Sequence, residues 1–328
     1  MVGACVSSAV GGGEARAYAE HVPKDSAFPL QQNRLLGIGL RVGAATSFGI
    51  MGACIKLAAQ HEVSLPETAF YRFAFGLPPL LVWIALTGSF GAWRTARPLA
   101  HLWRGAIGLS TMVVAFTAVT LLPLAEATTL SFIAPLFSVA LSALFLREQV
   151  GRHRWTAVAV GLAGVLVVMQ PGGMHLNQLG LALAVLAALG VAGVTITLRQ
   201  IGRTERTPTI VLWFTLFSML GTGLFLPWYG QAHDAETWAI LLGLGLAGGI
   251  GQLFLTSSLR FAPVPVVVPF DYTQLLWAVL LGWLLWNTHP AATTWLGAAI
   301  IVGSGLYTLY REHRLGRDRA KERAAEPL

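Results

Sequence analysis

Ionisable residues inside long apolar stretches are where this sequence could do chemistry. A charge at the centre of a bilayer costs about 2.5–3.5 kcal/mol on insertion scales, so each needs a reason. Arg72 follows Glu67 by about one helical turn at the head of one such stretch, with Tyr71 beside it. Arg72 could bind an anionic part of a solute. It could equally form a structural ion pair with Glu67 or another carboxylate, and Glu67 could simply face water at the outer mouth. Asp271 is followed directly by Tyr272, Thr273 and Gln274 and preceded by Pro263, Pro265 and Pro269. Each proline removes a helix hydrogen bond and obstructs the preceding turn, so a broken helix is expected, with carbonyls freed toward a cavity. Asp271 is thus the leading candidate for proton or cation coupling, against a lock with an arginine or a group at the cytoplasmic rim. Glu126 stands near Thr128, Thr129 and Ser131, and the helical spacing lets one face present a polar strip to a central cavity. The alternative is a carboxylate favoured at a helix N-terminus by the macrodipole. Lys56 reads as a side chain snorkelling from a span end.

These residues need elements to hold them, and composition says which. The chain of 328 residues is 55% hydrophobic and 11% charged, with a mean hydropathy of +0.64. A soluble domain carries about 25% charged residues, so the solvent of this chain is lipid. Only helices or closed barrels satisfy their backbone there. Apolar windows near 37–59, 66–86, 100–121, 124–146, 153–170, 179–200, 208–229, 236–260, 264–286 and 291–310 have helical lengths rather than the ten-residue alternation of barrel strands. The reading is an all-α membrane protein of ten transmembrane helices. Cys5 and Cys54 offer neither a disulfide framework nor a metal site. Residues 1–34 lack the apolar core of a signal peptide and read as a flexible cytoplasmic tail.

With the N-terminus inside, almost every basic residue falls in a cytoplasmic segment: Arg34 and Arg41, then Arg94, Arg97 and Arg104, then Arg147, Arg152 and Arg154, then Arg199, Arg203, Arg206 and Arg260, and the basic tail 312–328. This follows the positive-inside rule and puts both termini in the cytoplasm of a multi-pass inner-membrane protein. It also accounts for the net charge of +7 without nucleic acid. The chain is self-similar at about 140 residues: Leu36-Gly37-Ile38-Gly39 matches Leu179-Gly180-Leu181-Ala182, and Gly164 falls opposite Gly303. The halves are 35–172 and 173–311. Five spans is an odd number, so the second copy enters the membrane inverted, the architecture of secondary transporters with a midplane site between halves.

The ordered series Glu67-Thr68-Ala69-Phe70-Tyr71-Arg72-Phe73, Leu122-Pro123-Leu124-Ala125-Glu126-Ala127-Thr128-Thr129, Ser131-Phe132-Ile133-Ala134-Pro135-Leu136 and Leu146-Arg147-Glu148-Gln149-Val150 resembles the EamA-type carriers of the drug/metabolite transporter superfamily. Within it, the chain looks most like the branch containing S-adenosylmethionine and riboflavin uptake proteins. Asn287 stands where the family's second repeat often has a glutamate. The resemblance implies transport of a small organic metabolite, ion-coupled or facilitated, with no bound cofactor. A coupling proton or cation fits it, and so does a homodimer. The candidates for substrate binding or coupling are Arg72, Asp271, Glu126, Tyr71, Tyr272, Gln274, Thr129 and Phe132; those for gating or structure are Glu67, Glu148, Pro135 and Pro269. Phe70, Phe132, Phe270, Tyr272 and Trp277 could stack a flat heterocycle or simply pack.

Two readings compete on the same sequence. An exporter of amino acids or drugs would use the same fold. An intramembrane enzyme would need a nucleophile–base pair or metal set within the spans, and no HExxH, GxSxG or paired-aspartate motif occurs.

Overall fold

The computed structural model describes residues 33–145, 151–169, 176–202, 204–262 and 264–325. Glu148, Pro263 and most of the N-terminal segment lie outside them. The described residues form helices and short 3₁₀ turns in order. In the first half these are α1 (Arg34–Gln60), α2 (Leu65–Ala74), α3 (Leu77–Leu86), α4 (Pro98–Leu121), α5 (Leu124–Ser131), α6 (Ala134–Phe145) and α7 (Arg152–Met169). In the second they are α8 (Gln178–Ile201), α9 (Thr207–Gly223), α10 (Leu226–Tyr229), α11 (Ala235–Phe261), α12 (Val264–Val267), α13 (Thr273–Trp286) and α14 (Ala292–Ala325).

Among the described residues eight stretches are long and apolar enough to cross a membrane, and Trp155–Met169 and Thr207–Gly223 are shorter apolar helices. Large apolar side chains point outward along them, among them Leu166 at 62%, Leu220 at 63% and Leu276 at 64% exposure. A surface of this kind suits lipid rather than water. One apolar cluster of the interior gathers around Leu122, Leu130, Ile133, Val168, Leu181 and Ile301, and another around Ile55, Phe116, Leu241 and Leu244.

The second and fourth apolar segments of each half are the interrupted ones. Breaks fall between α2 and α3, between α5 and α6 and between α9 and α10, and the fourth is the 3₁₀ turn Val268–Tyr272 between α12 and α13. Pro269 lies within that turn. Pro135 lies in the first turn of α6, just past the break at Phe132.

Packing crosses between the halves in matched pairs. α1 lies on α11 and its counterpart α8 on α4; α1 also meets α13, as α8 meets α6. α2 packs on α11 as α9 packs on α4, while α2 pairs with α9 and α7 with α14. Exchanging the two halves leaves this pattern unchanged. The close contacts rest on small residues: a Cβ on Gly249 of α11 would stand 2.8 Å from the carbonyl oxygen of Gly76, at the α2–α3 break.

Candidate functional site

The cleft between α2, α9 and α11, narrow and partly open to the outside, with room for about one water molecule, is lined by Arg72, Phe73, Gly76, Phe214, Gly249 and Gln252 among others. Both halves contribute. The Gly76–Gly249 approach brings the helices together, and Gly248 leaves room for the Arg72 stem, whose Cγ lies 3.4 Å from where a Cβ would be. The guanidinium of Arg72 lies 4.6 Å from the Phe73 ring centroid, and its Nε is buried without a hydrogen-bond partner. Phe73 meets Phe214 edge-on at 5.4 Å. On the far side, the Arg104 guanidinium lies 4.2 Å from the Phe214 centroid, with Nε and Nη1 buried and unpartnered. Two guanidinium groups thus flank a pair of aromatic rings, Arg72 on the cleft and Arg104 behind Phe214. Opened wider, such a place can take a solute with a flat apolar part and an electron-rich polar group, since buried donors without partners carry a desolvation cost that a ligand acceptor would offset.

The ion pair between Arg72 and Glu67 offered as an alternative does not form. Glu67, 0% exposed rather than facing water, accepts a hydrogen bond from His233 Nε2 at 2.8 Å. Tyr71 turns away from Arg72's cleft to pack on Phe75 and Trp238, at centroid distances of 5.4 and 5.0 Å.

Asp271 stands in the 3₁₀ turn, where both its carboxylate oxygens meet Arg41 of α1, one through Nε and the other through Nη2 at 2.6 Å. Arg41, placed in a cytoplasmic segment by sequence, is a buried side chain at 9% exposure against 33% for Asp271. A bidentate fork of this kind is the strong form of the ion pair. It holds the Asp271 turn against α1. Next to it Tyr272 meets Phe132 edge-on at 4.9 Å, and Gln274 is half-buried on α13.

Glu126 and Thr129 lie in a third place. Both are buried at 2% and 0% exposure. Thr129 donates its hydroxyl back to the Ala125 carbonyl at 2.8 Å, so it spends its polarity within α5 rather than on a cavity. Glu126 Oε1 accepts from Thr294 of α14 at 3.0 Å, while Oε2 has no partner. Lys56 donates to the Leu122 carbonyl at 2.7 Å, with the Trp286 ring 5.4 Å away. The candidates therefore divide among three places and form no single constellation. Arg41, Arg104, Phe214 and His233 have neighbours remote in sequence, and the sequence reading gave them no part in a site.

With this geometry in hand, the chain can be compared with known proteins. The EamA-like transporter family matches it twice, over residues 35–170 and 178–310. The chain belongs to that family: it is an all-α, multi-pass membrane transporter built from a repeated unit. It is similar to a riboflavin transporter of Rhizobium johnstonii, 33% identical over 76% of this chain and 83% of the relative. It is also similar to the pseudopaline exporter CntI of Pseudomonas aeruginosa, 29% identical over 81% and 93%. An S-adenosylmethionine uptake transporter of Rickettsia conorii is 27% identical over 76% and 84%. A solved crystal structure shares the fold at a TM-score of 0.58 and 20% identity, over 85% of this chain and 98% of that one.

Proposed function

We propose that the protein is a secondary carrier that moves a small organic metabolite across the inner membrane by alternating access, coupled to an ion or working by exchange. The observation that carries this reading is Arg72, whose buried, unpartnered Nε sits at a cleft built by both halves. A site shared between inverted halves is where rocking of one half against the other exchanges its exposure. Arg72 would hold the polar part of the solute and Phe73 and Phe214 its flat part, with Arg104 behind Phe214. Asp271, held by Arg41, would fasten the broken helix to α1. Both termini would be cytoplasmic.

Riboflavin and S-adenosylmethionine are the first probes, because relatives bear those names. The outward direction is the second reading, favoured by the similarity to an exporter. In proteoliposomes, a probe that raises the thermal stability of the purified protein is expected to show saturable uptake and counterflow. Arg72→Ala is expected to lower uptake at sub-saturating solute at least tenfold with an unchanged yield of folded protein. Flux that rises linearly with solute would indicate a channel, and a chemically altered solute an enzyme.

A further inference from the structure

The hydrogen bond between Glu67 and His233 has a counterpart at the other end of the molecule. Glu67, at the head of the second segment of the first half, meets His233, which precedes the third segment of the second half. Glu205, at the head of the second segment of the second half, faces His101, in the first turn of the third segment of the first half, with His101 Nε2 3.9 Å from Glu205 Oε2, an ion-pair distance rather than a hydrogen bond. The likeness extends to the backbone. Glu67 Oε1 accepts from the Gln231 N–H at 3.4 Å; Glu205 Oε1 accepts from the Ala96 N–H at 3.2 Å and from Thr95 Oγ1 at 2.8 Å. In both cases a carboxylate of one half takes hydrogen bonds from the loop that leads into the third segment of the other. Exchange of the halves carries one clasp onto the other.

The clasps lie at opposite mouths, because α2 begins with Glu67 and α4, which begins at the far end of the α2–α3 segment, carries His101 in its first turn. Both are buried: side-chain exposure is 1% and 6% for Glu67 and His233, and 7% and 1% for Glu205 and His101. Each joins the two halves across an end that must separate when that end opens. Glu67 Oε2 and both ring nitrogens of His101 are buried without hydrogen-bond partners, so neither clasp has all its polar atoms satisfied.

We propose that Glu67–His233 and Glu205–His101 are the gates of this carrier, one at each mouth, held by the charge of the carboxylate and broken in alternation. The inference rests on the carrier reading above. A neutral group in place of the carboxylate cannot hold these partners as a charge-assisted acceptor does, so loss of the charge loosens the seam between the halves. Other titratable and charged groups face each clasp. At the first mouth these are Tyr71 one turn along α2, with Asp234, Glu236 and His61, whose Nε2 lies 3.9 Å from Glu236. The Asp234 carboxyl is held below its usual range by hydrogen bonds from Thr237. At the second mouth they are Arg104 one turn along α4, Arg206 beside Glu205, and Arg97, which donates to Thr204 Oγ1 at 3.4 Å.

The test needs no solute. In full-length protein carrying Cys5→Ser and Cys54→Ser, reporter cysteines replace Thr68 or Thr209, each 3% exposed and each near one clasp. Labelling by a small maleimide is followed in detergent. Glu67→Gln keeps the side chain's shape and removes its charge. It is expected to speed labelling at position 68 at least fivefold and to slow it at 209; Glu205→Gln is expected to do the reverse. Should Glu67→Gln reduce the folded yield, His233→Gln opens the same clasp from the other half. If both variants speed labelling at both positions, or neither changes it, the gates are not these. Failure of solute flux with reciprocal labelling intact would instead count against the carrier reading.

Discussion

A guanidinium fork on a carboxylate inside an apolar bundle is worth most when neither group can find water. Arg41 is nearly buried while Asp271 keeps one-third of its side chain exposed, so the pair lies between the surface and interior limits. Asp271→Asn leaves the Arg41 charge without its counter-ion. The expected loss is about 2 kcal/mol, below the 3–5 kcal/mol of a fully buried pair, read as a fall in thermal stability in detergent. The double variant with Arg41→Gln is expected to lose less than the two single losses summed, because the uncompensated charge is then gone. Additive losses would mean the pair contributes nothing as a pair. Sequence pointed to Asp271 and to an arginine as its alternative partner, but not to Arg41, which is 230 positions away and reads as one more basic residue near a span end. Arg104 was hidden for the same reason. A positive-inside tally counts a basic residue at a helix head and says nothing of the ring above which its side chain lies.

At the scale of the element, interruption is the recurring device. Each half breaks its second and fourth segments, and each break lets chain or side chain approach a neighbour more closely than an unbroken helix would. The three prolines before Asp271 made one break legible, and Pro135 marks another. The break at Gly76 also carries a signal, Pro78 and Pro79 in the first turn of α3, which the sequence reading passed over. What packs against it is visible only in three dimensions, where Gly76 and Gly249 meet backbone to backbone. Gly249→Ala would set a methyl group 2.8 Å from the Gly76 oxygen and 2.9 Å from its Cα, too near for either backbone to keep its place. Overpacking of this kind costs about 1–3 kcal/mol. The variant is expected to unfold at lower temperature and to bind solute more weakly, since α2 and α11 both line the cleft. Unchanged unfolding would show that the helices separate without cost.

At the scale of the whole molecule, the internal repeat organises everything else. Two copies of one unit meet through contacts that survive their exchange, and the cleft and the paired clasps both lie where the copies touch. The repeat, the helical class and the family were legible because period, hydropathy and an ordered series of motifs are local properties of the chain. The meeting of Glu67 with His233, or of Phe73 with Phe214, was not, since the repeat supplies two copies without saying which faces join. Opposite orientation of the halves is the claim on which the carrier reading depends. Single cysteines at Asn177, ahead of α8, and at Arg314, in the last turns of α14, test it when labelled by an impermeant maleimide in intact cells and in inverted vesicles. Labelling of Asn177→Cys from outside and of Arg314→Cys from the cytoplasmic side is the predicted result. Both positions labelled from one side would contradict it.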